Sequence, residues 1–225
     1  VCSSDLGHVL PQIGGLVVQP GVEFSPMEVH HLPQARDPQL RAVLADWPQV
    51  CLEAHSTDYQ QDSAFARLAE LGFAFQKVGP ALTFAYRQAI YALDSLRQQA
   101  GWATSGPLYE VMESLMLAEP GYWQGHYRGD SGDIRVERHF GLADRIRYYW
   151  PQPEAQAAVA AVLRDLEGRG LPDPMLLQAF SAPVIARAHE IGGPLPQALI
   201  EAAIQTALRP YFLDTTAGFG KEPRP

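Results

Sequence analysis

Val50-Cys51-Leu52-Glu53-Ala54-His55-Ser56-Thr57-Asp58-Tyr59-Gln60 is the stretch that decides the fold. A short apolar run opens, at its C-terminal end, into side chains able to donate, accept or ligate. That is how a strand of a parallel sheet delivers a functional loop. Two further segments repeat the pattern: Leu16-Val17-Val18 runs into Gln19-Pro20-Gly21-Val22-Glu23, and Phe73-Ala74-Phe75-Gln76 runs into Lys77-Val78-Gly79-Pro80. Strands are therefore expected near 15–19, 49–54 and 73–78, with their polar ends all at the C-terminal side.

Helical patterns fill the gaps between these strands. Asp37-Pro38 opens the first, which runs through Leu40, Val43 and Leu44 to about Trp47. The second spans Asp62 to Leu71, where Ala64, Phe65, Leu68 and Leu71 recur at helical spacing and Gly72 supplies the stop. The third starts at Pro80, carries Leu82, Ala85, Ala89, Leu93 and Leu96 on one face, and ends at Gly101. Strand and helix alternate as in βα units of a parallel sheet. Beyond Pro107 the pattern is helical, with helices expected at about 108–118, 120–128, 141–149, 153–167, 174–190 and 195–213.

A closed parallel barrel needs about eight βα units over roughly 250 residues, and three are visible here. The expected fold class is α/β: the C-terminal part of a TIM (β/α)8 barrel followed by a helical C-terminal extension. The expected organisation is an appended or disordered N-terminus over 1–8, the last barrel units over 9–106, a helical region over 107–214 and a disordered tail over 215–225. Val1-Cys2-Ser3-Ser4-Asp5-Leu6 has no signal-peptide character. It is similar to a translated sequencing adapter, so the gene product is expected to continue upstream.

The 225 residues are 47% hydrophobic and 19% charged, enough apolar material for one sizeable core. A net charge of −8 and a pI near 5.3 argue against a nucleic-acid partner, which would require clustered Lys and Arg. Only Cys2 and Cys51 are present, and no apolar run reaches the length of a membrane span. A cytoplasmic protein without a membrane partner is expected.

At the strand ends, Gln19, Glu23, Glu53, His55, Asp58, Lys77 and Gly79 are the candidates for chemistry. His55 can ligate a metal or shuttle a proton, with Glu53 or Asp58 fixing its tautomer; it can equally be a hydrogen-bonded structural residue. Glu53 reads either as a catalytic carboxylate or as half of a structural pair with Lys77. Lys77, Gly79 and Thr83 sit where a strand opens into a helix and could hold an anion, although the nucleotide P-loop pattern is absent. His30, His31, His126, His139 and His189 lack metal-ligand spacing. Asp144 to Pro151 is dense in Arg and Tyr and reads as a packing segment.

Val17 to Phe24, Glu53 to Gln60, Lys77 to Ala85 and Asp144 to Pro151 together resemble the non-catalytic subunit family of class II D-tagatose-bisphosphate aldolase, a likeness recurring from about Leu16 to Tyr211. The resemblance implies a class II aldolase-type barrel whose N-terminal half lies upstream. It also implies a protein that stabilises and fully activates a separate catalytic class II tagatose-bisphosphate aldolase subunit in galactitol and N-acetylgalactosamine breakdown. Aligned with true class II aldolases, Gly15 stands where a zinc-ligating His is usual, and His55 alone matches a zinc ligand. Zinc is thus a cofactor of the longer protein only if other ligands come from upstream. Lys77 to Thr83 occupies the place of the aldolases' substrate-phosphate loop, with Gly79-Pro80-Ala81 replacing its Asn- and Asp-containing run. Within the family, Tyr86 and Gln88 depart from the usual residues around Arg87. From the residues themselves the catalytic candidates are Glu53, His55 and Asp58, with His55 the metal candidate, and a sugar phosphate is expected near Gln19, Lys77, Gly79 and Thr83. Two alternatives remain: a metal-dependent sugar-phosphate lyase or epimerase in its own right, and a tagatose-6-phosphate kinase, a label the family also carries.

Overall fold

Three parallel strands form the sheet on which the candidate site is built. In the computed structural model, which describes residues 10–212, they are β1 (Gly15–Val18), β4 (Cys51–Ala54) and β5 (Phe73–Gln76), in the order β1-β4-β5. Gly15 to Val18 pair with Cys51 to Ala54, and Leu52, Glu53 and Ala54 pair with Phe73, Phe75 and Gln76, with a register irregularity between Leu52 and Glu53. The two short strands β2 (Glu23–Phe24) and β3 (Val29–His30) make a separate two-stranded ribbon. The expected N-terminal segment over 1–8 and the tail over 215–225 lie outside the described residues.

The described chain divides into two compact units, one comprising residues up to Glu23, Val29–Val78 and the segment from Leu208, the other Phe24–Glu28 and Gly79–Ala207. In the first, α2 (Asp62–Glu70) buries Ala64, Phe65 and Leu68 on one face. Leu68, Leu71, Leu52, Phe73, Val22 and Leu32 join in one apolar cluster. Burying each large side chain contributes about 1.5–3 kcal/mol. Gly72 ends the helix at φ 95°, a conformation that favours glycine, and the exposed Arg41 side chain lies over the position. The helix expected over 37–47 shrinks to α1 (Leu40–Val43). Asp37 accepts a hydrogen bond from the Gln39 amide at 2.8 Å and Gln39 adopts a left-handed conformation, so a turn replaces the first helical residues.

The second unit is helical: α3 (Pro80–Gln99), α4 (Leu108–Ala118), α5 (Ser131–Phe140), α6 (Pro153–Leu166), α7 (Asp173–Leu176), α8 (Ala182–Ile191) and α9 (Leu195–Leu208). Among its described residues there is no strand beyond Pro107, as the sequence suggests. α3 packs on α6 and α4 on α5 and α6, around Ile90, Leu93, Leu108, Met112, Met116 and Leu199. Charged side chains are buried within this core. Arg87 donates to Asp144 at 2.7 Å, and Arg97 donates to Asp94 at 2.8 Å and also to Asp165.

Several expected helices change here for local reasons. The stretches near 120–128 and 141–149 hold only short 3-10 turns, Pro120–Tyr122 and Arg145–Tyr148, the second entered through Asp144 at φ 46°. The span 174–190 breaks into α7 and α8, because Pro183 fits only the opening turn of a new helix. α5 was not expected; Asp130 caps it, accepting from the amides of Gly132 at 2.8 Å and Asp133 at 3.0 Å. The Asp144 to Pro151 segment packs within this unit. Tyr149 is fully buried and donates to the Glu119 carbonyl, while the Tyr148 ring stacks on Tyr122.

Candidate functional site

The loop that leaves β4 is shaped by two residues in the left-handed region, Ser56 at φ 57° and Tyr59 at φ 61°. Backbone of this kind is costly for non-glycine residues and persists only where its surroundings hold it. Gln60 is one such anchor: its buried amide accepts from the Leu32 amide and donates to the His30 carbonyl, both at 3.0 Å. Thr57 is another. Its buried hydroxyl donates to the Lys77 carbonyl at 2.9 Å, so the Tyr211 hydroxyl, 3.1 Å away, donates to Thr57. The Tyr211 ring packs on Phe65 with centroids 4.5 Å apart. Burial pushes the Tyr211 hydroxyl up to about 12, against the lowering effect of Thr57 and with a further push from the Asp58 charge. Tyr211 therefore stays protonated and acts as a structural donor.

On this scaffold Glu53 and His55 meet. The His55 Nε2 lies 2.6 Å from the Glu53 Oε1, and both side chains are about one-third exposed. They alternate with buried Leu52 and Ala54, so strand period two puts them on the same face. In register on that face stand Val17 and Phe75, both exposed. A carboxylate on Nε2 fixes the tautomer and orientation of the ring, with Nε2–H donating to Glu53 and the Nδ1 lone pair left as the acceptor. A histidine oriented in this way has the geometry of a general base. Of the two carboxylates that sequence offered to His55, Glu53 makes the contact; Asp58 is buried, and its charge acts on Tyr211. The partner expected for Glu53 was Lys77, but the hydrogen bond that forms is to His55.

Gln19 joins the same end of the sheet, donating to Glu23 Oε2 at 2.8 Å and to Ser56 Oγ at 3.4 Å. Lys77 has an exposed side chain, and its backbone amide donates to the Ala54 carbonyl at 2.9 Å. Gly79 and Thr83 belong to the second unit, where Gly79 precedes α3 and the Thr83 hydroxyl donates to the Pro80 carbonyl at 3.1 Å. Zinc takes three or four protein ligands. Among the described residues no three His, Cys, Asp or Glu side chains converge, so His55 and Glu53 do not by themselves compose such a site. No helix of the described residues is long and apolar enough to cross a membrane.

Sequence reasoning missed the Thr57–Tyr211 bond, whose partners lie 154 residues apart. It also set aside His139, which lies in a buried cluster of the helical unit. Tyr91 meets its Nδ1 at 2.9 Å and Glu113 its Nε2 at 3.1 Å. Helical periodicity placing Tyr91, Glu113 and His139 on inward faces was the only available signal.

Known proteins sharpen this picture. The chain is 43% identical, over 95% of its length and 50% of the relative's, to a D-tagatose 6-phosphate 4-epimerase of Agrobacterium fabrum (strain C58 / ATCC 33970). It is 39% identical, over the same shares, to the D-tagatose-1,6-bisphosphate aldolase subunit GatZ of Salmonella paratyphi B. The crystal structure of a probable tagatose 6 phosphate kinase from Sinorhizobium meliloti 1021 superposes with a TM-score of 0.83 at 40% identity, covering 91% of this chain and 53% of that one. The chain thus spans about half the length of the relatives it matches. Residues 2–216 match the model of the D-tagatose-1,6-bisphosphate aldolase subunit GatZ/KbaZ-like family, and the chain belongs to that family.

Proposed function

We propose that these residues are the C-terminal part of a class II aldolase-type (β/α)8 barrel. In this reading the protein is a cytosolic, non-catalytic subunit that stabilises and activates a separate catalytic tagatose-bisphosphate aldolase. The observation that carries the proposal is the match of residues 2–216 to a family of aldolase subunits. The parallel order β1-β4-β5, with Gln19, Glu53 and His55 together at the C-terminal strand ends, supports the barrel reading. The barrel units, the helical region and the tail keep the boundaries stated from sequence. Lys77 and Gln19 contact the sugar phosphate. Gly79 and Thr83 are assigned to phosphate from sequence alone, and Thr83 must release Pro80 to serve. Asp58 supports the loop rather than the reacting atoms.

A second reading, a sugar-phosphate epimerase, is favoured by the Glu53–His55 contact and by the epimerase relative. In a 2-ketose the C4 hydroxyl is β to the carbonyl. Removing its proton lets the C3–C4 bond break with its electron pair delocalised toward C2, and re-addition to the opposite face inverts C4. His55, oriented by Glu53, is the group here able to take that proton.

Two measurements separate the readings: the activity and half-life of a catalytic tagatose-bisphosphate aldolase with and without this protein, and turnover of tagatose 6-phosphate by this protein alone. The subunit reading expects a gain in the first and none in the second. Turnover alone, abolished in His55→Ala, would establish the epimerase instead; neither effect would reject both.

A further inference from the structure

In the helical unit, and independent of the strand-end site, a cavity of about 310 Å³ is lined by Tyr91, Tyr109, Arg135, Val136, His139 and Phe140. That volume is at the lower end of the range of small-molecule sites. Its floor is a closed relay. Tyr91 meets His139 Nδ1, His139 Nε2 meets Glu113, and Glu113 is held on both oxygens by Arg138. Burial pushes His139 below its ordinary value even against the Glu113 charge, so at neutral pH the ring is neutral, with Nδ1 accepting from Tyr91. With its hydrogen bonds made internally, the floor presents ring surfaces, and Tyr109 stands edge-on to His139 at 6.2 Å. The walls fit an apolar body.

The rim differs. Tyr109, Val136 and Phe140 are 40%, 43% and 63% exposed, large apolar side chains held against water beside an open cavity. Arg135 is half exposed, and its ion-pair contact is a long 3.5 Å to Glu113 Oε1, an oxygen already taken by Arg138. Its guanidinium therefore retains donors at the mouth of an otherwise apolar cavity, the complement of an anion on an apolar stem.

We propose that this cavity binds a small apolar carboxylate, with an aryl or branched alkyl body between Tyr91, Tyr109 and Phe140 and its carboxylate on Arg135. The probe pair is 3-phenylpropionate and its neutral amide, titrated into the 225-residue chain by calorimetry and by chemical-shift mapping. The acid binds saturably with a Kd of about 1 mM or tighter, roughly tenfold tighter than the amide. Arg135→Gln removes that tenfold difference and leaves amide binding unchanged. Val136→Trp, which fills the cavity from an exposed position, abolishes binding of both, with circular dichroism unchanged. Absence of saturable binding up to about 10 mM, some ten times that Kd, overturns the proposal. So does equal binding of acid and amide, or self-association of the chain that Val136→Trp removes without any ligand effect, which would make the face a protein interface.

Discussion

Arg97 is the sharpest test of how the helical unit is held. It is almost fully buried and donates to Asp94 at 2.8 Å, to Ser105 at 3.2 Å, to the Gly106 carbonyl at 3.2 Å and to Asp165. The two carboxylates are structural in turn. Asp94 accepts from the Leu108 amide that opens α4, and Asp165 accepts from the amide and hydroxyl of Thr104. Arg97→Met keeps the volume and strands two buried carboxylates. Removing one partner of a buried pair costs about 3–5 kcal/mol, a large part of the roughly 5–15 kcal/mol that holds a domain. With a urea slope of about 2–3 kcal/mol per molar, the midpoint falls by about 1–2.5 M, read by fluorescence of Trp102, Trp123 and Trp150. The acid limb moves too. Burial pushes Asp165 up, but Thr104 and Arg97 together hold it below its ordinary 3.8. Its folded value is thus the depressed one, so its stabilisation is complete above about pH 3.8 and is lost as pH falls below that. Without Arg97 two of the lowering influences are lost, so the depression shrinks and acid unfolding begins at higher pH. Adding Asp165→Asn to Arg97→Met, which keeps an acceptor oxygen for the Thr104 amide, lets the side-chain NH2 donate to the Thr104 hydroxyl and removes the charge, recovers part of the loss. A midpoint shift worth less than about 1 kcal/mol, or an unchanged acid limb, would refute this reasoning.

Three further outcomes follow from single contacts. Asp130→Ala removes the oxygen that accepts from both amides at the start of α5 and costs about 1 kcal/mol in chemical denaturation, while Asp130→Asn restores most of it. Tyr211→Phe loses the bond to Thr57 and costs about 0.5–1.5 kcal/mol, with faster hydrogen exchange at the loop 55–60. His139 is held neutral by burial, so its folded value lies below 6.5; its stabilisation is complete above about pH 6.5 and is lost as pH falls through the folded value. His139→Gln flattens the stability profile on that acid side, and an unchanged slope would contradict the assignment.

The sheet was legible because β1, β4 and β5 are short apolar runs with polar C-terminal ends, and α2, α3, α4 and α6 because apolar residues recur at helical spacing. α5 was not, since Ser131-Gly132-Asp133 reads as a turn until the Asp130 carboxylate is seen capping it. α1 was overestimated because a left-handed Gln39 leaves no trace in hydrophobic pattern. In the site, Glu53 lies on β4 and His55 just past its end, and the alternation of the strand carried one residue further accounts for their meeting. The partners that hold their loop, Tyr211 on Thr57 and Gln60 on Leu32, come from distant chain segments that no local spacing connects.

The most direct test of the subunit account is to titrate this protein, within the longer reading frame that the barrel proposal requires, into a catalytic class II tagatose-bisphosphate aldolase and follow cleavage of tagatose 1,6-bisphosphate. The account predicts a rate that rises and saturates at a fixed stoichiometry, with a longer half-life of the catalytic partner and no cleavage by this protein alone. An aldolase whose rate and half-life are indifferent to it would contradict the account.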